Sequence, residues 1–230
     1  MLIPLALLMS PMQQQPTNQP TEIYAAMPAI GGLTGLSAER QLHSVTVTIG
    51  KETATFETLT TFRSEAGGEG NVGLTFLSRG RTHYDIKDMW ASWNKVDMEI
   101  PDAMSTKSMG GPDRPGMIST QMHVYNFPVS MPPKGTGALR MKFTLPLAKV
   151  GYGLAQREIK YRFGAMMHGM DQLRMIIKYD PNTVFNVEHT DVPAGKMEVG
   201  PNGAYWKADG LTFEGKGEVT FRFFPKQLQD

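Results

Sequence analysis

Hydrophobic and polar residues alternate with a period of two through most of the regular parts of this chain. In the first half the alternation runs over residues 44–49 and returns over residues 72–76. The second half has four more examples, at residues 139–145, 159–163, 173–179 and 219–223. Such alternation places one side of a strand in a core and the other in water, as antiparallel sheets do. These segments therefore predict an all-β protein.

Turn-forming residues separate these strands, and glycine or proline clusters predict turns at residues 66–71, 164–170, 180–182 and 201–203. Residues 101–137 are rich in proline and glycine and enclose one more predicted strand. Only Tyr84–Asn94 is compatible with a helical turn or two. We therefore predict an antiparallel β-sandwich with long Pro/Gly-rich connecting loops. It occupies residues 21–230 as one domain, or as two sub-lobes, residues 21–100 and 117–230.

The N-terminus predicts export. Residues 2–9 form a short apolar run, and a glutamine- and proline-rich linker follows it up to residue 20. This run resembles the apolar part of a signal peptide, although no Lys or Arg precedes it, and it is far shorter than the ~20 residues that cross a bilayer. No later segment is apolar enough to span a membrane. We expect a secreted or periplasmic protein, with no membrane span.

The 230 residues contain no cysteine, which excludes disulfides, thiolate metal sites and cysteine nucleophiles. Total charge is nearly balanced at +1, but residues 135–179 carry eight basic and two acidic residues. Six of the basic side chains occupy the polar positions of predicted strands. They are Arg140, Lys142, Lys160, Arg162, Arg174 and Lys178.

One sheet face formed by these six residues would suit an anionic glycan or a protein partner. The alternative is that they pair with acids on neighbouring strands. Nucleic acid is not expected, because the aromatic residues share the apolar positions and do not interleave with the charges.

Two further groups could carry chemistry. Methionine occurs 17 times, and Met166, Met167, His168 and Met170 share one predicted loop, where thioethers and an imidazole could bind Cu(I). Methionine is also an ordinary core residue. The acids Asp85, Asp88, Asp97 and Glu99 surround Trp90 and Trp93, which suits a polysaccharide-active enzyme. No motif for a cofactor is present, and we expect none.

Exposed aromatic rings could instead form a platform for a sugar, because a flat ring packs against a sugar face. The candidates are Trp90, Trp93 and the pair Tyr205-Trp206. In a sandwich a buried Trp is commoner, so the core is the expected place for these rings.

Residues 31–80 resemble a secreted type of β-sandwich. The resemblance rests on Gly31-Gly32-Leu33, the strand Val45-Thr46-Val47, the segment Phe56–Phe62 and the strand Val72–Phe76. This arrangement is similar to the N-terminal domain of the inter-alpha-trypsin-inhibitor heavy chains and related bacterial exported proteins. That family ends the unit on a Phe-Pro-Leu-Pro-like sequence, where this chain has Phe76-Leu77-Ser78-Arg79. The resemblance implies an adhesion or scaffolding domain at a cell surface, and it assigns no functional residue.

The sequence as a whole thus predicts an exported, non-catalytic β-sandwich that acts as a binding or structural component of a bacterial cell envelope. The two alternatives are a polysaccharide-active β-sandwich enzyme and a copper-handling protein. The sequence leaves the oligomeric state open.

Overall fold

A computed structural model describes residues 25–79, 86–106, 120–150, 155–164, 170–211 and 217–226. The described residues form strands in two large sheets, here called sheet I and sheet II. Their inner faces pack against each other, and their outer faces point away from the core. The all-β sandwich predicted from the alternation is therefore confirmed.

Sheet I has the strand order β13-β16-β11-β1-β4-β8-β7, with β10 paired to β11. Its strands are β1 (Ala25–Thr34), β4 (Gly68–Arg79), β7 (Met104–Thr106), β8 (Thr120–Met131), β10 (Ala148–Val150), β11 (Gln156–Gly164), β13 (Val184–Asp191) and β16 (Gly217–Pro225).

Sheet II has the strand order β14-β15-β12-β2-β3-β9-β5-β6. Its strands are β2 (Glu39–Ile49), β3 (Thr53–Ser64), β5 (Lys87–Trp93), β6 (Val96–Asp97), β9 (Gly135–Pro146), β12 (Met170–Lys178), β14 (Glu198–Gly200) and β15 (Gly203–Leu211).

The chain crosses repeatedly from one sheet to the other. The short segment of residues 65–67 after β3 leads into β4 of the opposite sheet, so the turn predicted at residues 66–71 is a crossover whose last four residues already belong to β4, and not a hairpin turn. The connections after β11 and β12 also change sheets. As a result β1 pairs with β11 and β2 with β12 in parallel, whereas the other described pairs are antiparallel. Strands from both halves of the chain contribute to each sheet.

The core lies between the inner faces and is rich in aromatic rings. Contacts between rings of opposite sheets join them directly: Phe76 meets Phe143 with ring centroids 5.3 Å apart, and Phe163 meets Trp206 at 5.4 Å. Apolar positions of the alternating strands fill the remaining space, including Val45 and Val47 of β2. Burial of these side chains is the main source of stability in such a sandwich.

A cluster of buried polar side chains joins the two sheets within this core, near the start of β2. His43 is fully buried, its Nδ1 lies 2.7 Å from Thr60 Oγ1 of the same sheet, and its Nε2 lies 2.8 Å from the Tyr161 hydroxyl of sheet I. Arg40 is also buried, and its Nη1 donates to the carbonyl of Phe163 at 3.4 Å. Burial lowers the pKa of His43 well below its ordinary range, and the neighbouring Arg40 adds to this effect. Burial also lowers the pKa of Arg40 to about 10.

One local prediction was wrong. The segment Tyr84–Asn94 suggested helical turns, but its described part contains β5, which extends from Lys87 to Trp93. In the described segments, no part of the chain forms a helix of the length and apolarity that a bilayer crossing would require.

Candidate functional site

The six basic residues predicted to share one face are divided between the two sheets. Lys160 and Arg162 lie on β11 in sheet I. The other four lie in sheet II: Arg140 and Lys142 on β9, and Arg174 and Lys178 on β12. The outer faces of a sandwich point in opposite directions, so the single basic face is not formed.

On sheet I the two basic residues are neutralised by carboxylates. Lys160 Nζ lies 3.7 Å from Glu158 and 3.5 Å from Glu218, and Arg162 Nη2 lies 3.8 Å from Glu218. Glu158 also accepts two hydrogen bonds from Arg222, at 3.1 and 2.7 Å. On this sheet the cations therefore form cross-strand ion pairs, which is the alternative that the sequence left open.

On sheet II fewer of the basic residues are paired with carboxylates. Lys142 Nζ lies 3.5 Å from Glu57, and both side chains are about half exposed. Arg174 donates to the Gln172 side chain at 3.0 Å. Within the described residues, Arg140, Arg174 and Lys178 form no ion pair with a carboxylate. The outer face of sheet II is therefore where the described chain offers cations to a ligand.

A groove of about 340 Å³ lies on this face, over the central strands β2, β3, β9 and β5. Its walls include the indole of Trp90, the charged groups of Glu57, Arg140 and Lys142, and the hydroxyl-bearing Thr46. It therefore combines one large flat ring with hydrogen-bonding and charged groups, as many small-ligand sites do.

Trp90 is exposed to 41% and is held by its strand and by one hydrogen bond. It pairs directly with Lys142 of β9, just after an irregularity in β5 at which Asp88 has a φ of 55°. Its Nε1 donates to Asp97 Oδ1 at 3.2 Å from the neighbouring β6. Because the ring nitrogen is engaged, the ring keeps a defined orientation at the edge of the groove.

The turn between β5 and β6 fixes the position of the strand that carries Trp90. Asn94 and Lys95 both have positive φ, at 50° and 71°, as a two-residue hairpin of type I′ requires. Asn94 then fastens the turn to β9, because its N–H donates to the carbonyl of Ala138 and its Oδ1 accepts from the Ala138 N–H, each at 2.9 Å.

A second depression, of about 430 Å³, lies on the same outer face over β12, β14 and β15. Tyr205, exposed to 36%, lines it together with Lys178 and Glu198. Strand register connects the two depressions through one cross-strand row. The row runs through Tyr205, Ile176, Thr46, Glu57, Lys142 and Trp90.

The four aromatic residues considered for a sugar platform differ in position and burial. Trp90 and Tyr205 are exposed on the outer face of sheet II, whereas Trp206 is buried in the core. Trp93 is partly buried, and its Nε1 donates to the carbonyl of Ser130 at 3.0 Å. The expectation of core positions is therefore right for Trp206 and wrong for Trp90 and Tyr205. The sequence alone could have shown that Tyr205 and Trp206 differ in exposure, because adjacent residues of a strand point to opposite faces of the sheet.

The remaining sequence candidates are less well placed. Met166, Met167 and His168 lie outside the described residues, and Met170 begins β12 with its side chain outside the description. Asp85 is also outside the description, while Asp88, Asp97 and Glu99 are exposed. Among the described residues, no group of three or more His, Asp or Glu side chains could hold a metal ion.

Comparison with known proteins identifies a similar fold. No family model matches the chain, and no curated protein matches it significantly. A crystal structure of "a putative nutrient binding protein" from Legionella pneumophila is similar over 88% of this chain and 72% of its own length. Its TM-score is 0.59 and its sequence identity is 11%, so the likeness is one of fold. The chain thus adopts a β-sandwich arrangement that is also found in a solved bacterial protein.

Proposed function

We propose that this protein is a non-catalytic binding domain of the bacterial cell envelope, which takes its ligand in the groove beside Trp90. The observation that carries this proposal is the groove itself, where an exposed, oriented indole adjoins Arg140, Lys142 and Glu57. A large ring that a soluble protein leaves in water next to oriented polar groups is typical of a binding surface.

Two further observations support a binding role. The structurally similar protein of Legionella pneumophila carries a nutrient-binding name. The resemblance of residues 31–80 to secreted sandwich domains fits an adhesion or scaffolding role at a cell surface, and the apolar run at residues 2–9 fits export.

The groove favours binding over hydrolysis. Glycoside hydrolysis ordinarily needs two carboxyl groups on either side of the scissile bond. Of the described residues that line the groove, Glu57 alone has a carboxylate, and it is paired with Lys142. Asp97 is nearby but accepts the hydrogen bond of Trp90. The polysaccharide-active alternative remains testable by incubating the protein with polysaccharides. Release of reducing ends by the wild type, lost in Asp97→Asn, would contradict the proposal.

Ligand binding is tested by titrating soluble saccharides, amino acids and short peptides while recording tryptophan fluorescence and heat. We expect at least one class to bind and Trp90→Ala to weaken that binding by about tenfold, the loss of about 1.4 kcal/mol of contact energy. Phe185→Ala is the matched control, because Phe185 is 73% exposed on β13 of the other sheet. The proposal is wrong if no class binds or if the two variants bind equally well.

Export is tested separately by cell fractionation and N-terminal sequencing. We expect envelope location and a mature chain that lacks roughly the first 20 residues. Recovery of the chain with Met1 in the cytosol would refute this part.

A further inference from the structure

The two exposed aromatic rings of sheet II mark the ends of one continuous surface. Trp90 and Tyr205 occupy the same cross-strand row and are separated by five strand-to-strand steps. With about 4.8 Å per step the strands that carry them are about 24 Å apart. This length exceeds a single sugar or amino acid and suits an extended ligand that lies across the strands.

The middle of this surface is mainly polar. Thr46, Glu57 and Lys142 lie between the two rings, and the half-buried Ile176 and Leu59 are its apolar members. The core of a protein–protein interface is normally apolar and depleted in charge, with aromatic residues at its centre and not at its two ends. This arrangement therefore favours a hydroxyl-rich ligand over a protein surface.

The cations of the face form a second row beside the first. Arg174 and Arg140 belong to one row across β12, β2, β3 and β9, three steps or about 14 Å apart. Neither has an ion-pair partner in the described parts of the chain, in contrast to Lys160 and Arg162 on sheet I. Guanidinium groups bind carboxylates and sulfates through paired N–H donors.

From these observations we infer that the outer face of sheet II binds an anionic oligosaccharide across its strands. Trp90 and Tyr205 stack on sugar rings at the two ends, and Arg140 and Arg174 receive acidic groups of the sugar chain between them. This inference rests on the proposed function and adds the ligand's class, charge and length. Single-stranded nucleic acid fits less well, because it needs closely spaced stacking rings, whereas Trp90 and Tyr205 are five strand-to-strand steps apart.

The test uses the full mature chain and galacturonic acid oligomers of increasing length. Their methyl-esterified forms have the same backbone without the charge, a sulfated oligosaccharide distinguishes sulfate from carboxylate, and single-stranded DNA tests the nucleic acid alternative. Binding is measured by calorimetry. We expect the acidic oligomers to bind about ten- to a hundredfold more tightly than their esters, as hydrogen bonds to charged groups imply.

Variants locate the effect on the surface. Arg140→Gln and Arg174→Gln should each weaken the binding of acidic oligomers by about tenfold. Arg162→Gln is the matched control on sheet I and should leave the affinity unchanged. Tyr205→Ala should weaken the binding of long oligomers and leave the binding of short oligomers unchanged. Raising the salt from about 0.01 to about 1 M shortens the screening length from about 30 to about 3 Å and should weaken acidic oligomers selectively.

The outcomes separate this inference from the proposed function. If acids and esters bind equally and both lose affinity in Trp90→Ala, the groove binds saccharide but the anionic inference is overturned. If DNA binds as tightly as the sugars, the saccharide class is overturned. If no saccharide binds in a way that depends on Trp90, the inference is overturned, and the proposed function fails as well only if amino acids and short peptides also show no dependence on Trp90. Preference for the sulfated probe supports the inference and assigns sulfate as the recognised group.

Discussion

Acidification should destabilise this protein through His43, a buried imidazole that both sheets hold in its neutral form. Its two ring nitrogens bond to Thr60 and Tyr161, and burial, assisted by Arg40, lowers its pKa well below the ordinary value of about 6.5. Below pH 6.5 the unfolded chain therefore binds a proton that the folded chain does not. While the folded imidazole stays neutral, the free energy of unfolding falls by about 1.4 kcal/mol for each unit that the pH drops below 6.5.

Urea unfolding at pH 7, 6 and 5 measures this effect, because urea carries no charge and gives the free energy by linear extrapolation. Other groups also titrate in this range, so the quantity of interest is the difference between the wild type and His43→Gln, which removes the imidazole. We expect the variant to be less stable at pH 7 and to lose less stability on acidification. His189→Gln is the control, because His189 is exposed and should keep the wild-type dependence. Equal pH dependence in the wild type and His43→Gln would show that the buried imidazole is not the source of the acid sensitivity.

Three further substitutions test contacts between the two sheets or within one of them, each by urea unfolding at pH 7. Tyr161→Phe leaves a buried nitrogen of His43 without its hydroxyl partner and should cost about 1–3 kcal/mol, whereas no change would contradict the network. Gly137→Ala should cost about 1–3 kcal/mol, because the added Cβ would overlap the Trp93 ring; wild-type stability would show that the ring moves freely. Glu158→Gln should cost about 1–3 kcal/mol by weakening the contacts of a buried carboxylate with the partly buried cations of Arg222 and Lys160, and a gain in stability would contradict this.

Part of the core and part of the candidate site could be predicted from the alternation alone. The phase that places Val45 and Val47 in the core also places His43 there, so a buried histidine was predictable from its position. The same rule required Tyr205 and Trp206 to face opposite ways. The alternation does not identify the hydrogen-bond partner of an inward-facing group. The partner of His43, Tyr161, lies 118 residues away in the chain.

Besides export, two expectations stay as predictions. Copper binding by Met166, Met167, His168 and Met170 concerns side chains outside the described residues, and a copper titration of the wild type tests it. The resemblance of residues 31–80 to secreted sandwich domains is a relationship that fold similarity alone does not test, and sequence comparison with closer relatives addresses it.

Strands with one buried and one exposed face were predictable from the amino-acid pattern, because a period of two is a local property of the extended chain. Which strands share a sheet became known only from the folded structure. Arg140 and Lys160 occupy equivalent positions in their own strands, yet one faces outward from sheet II and the other from sheet I among carboxylates. Sheet membership depends on where each connection crosses the core and on contacts between distant segments, and no local pattern encodes these. The surface that we propose to bind saccharide exists because those crossings bring Trp90, Arg140, Arg174 and Tyr205 onto one face.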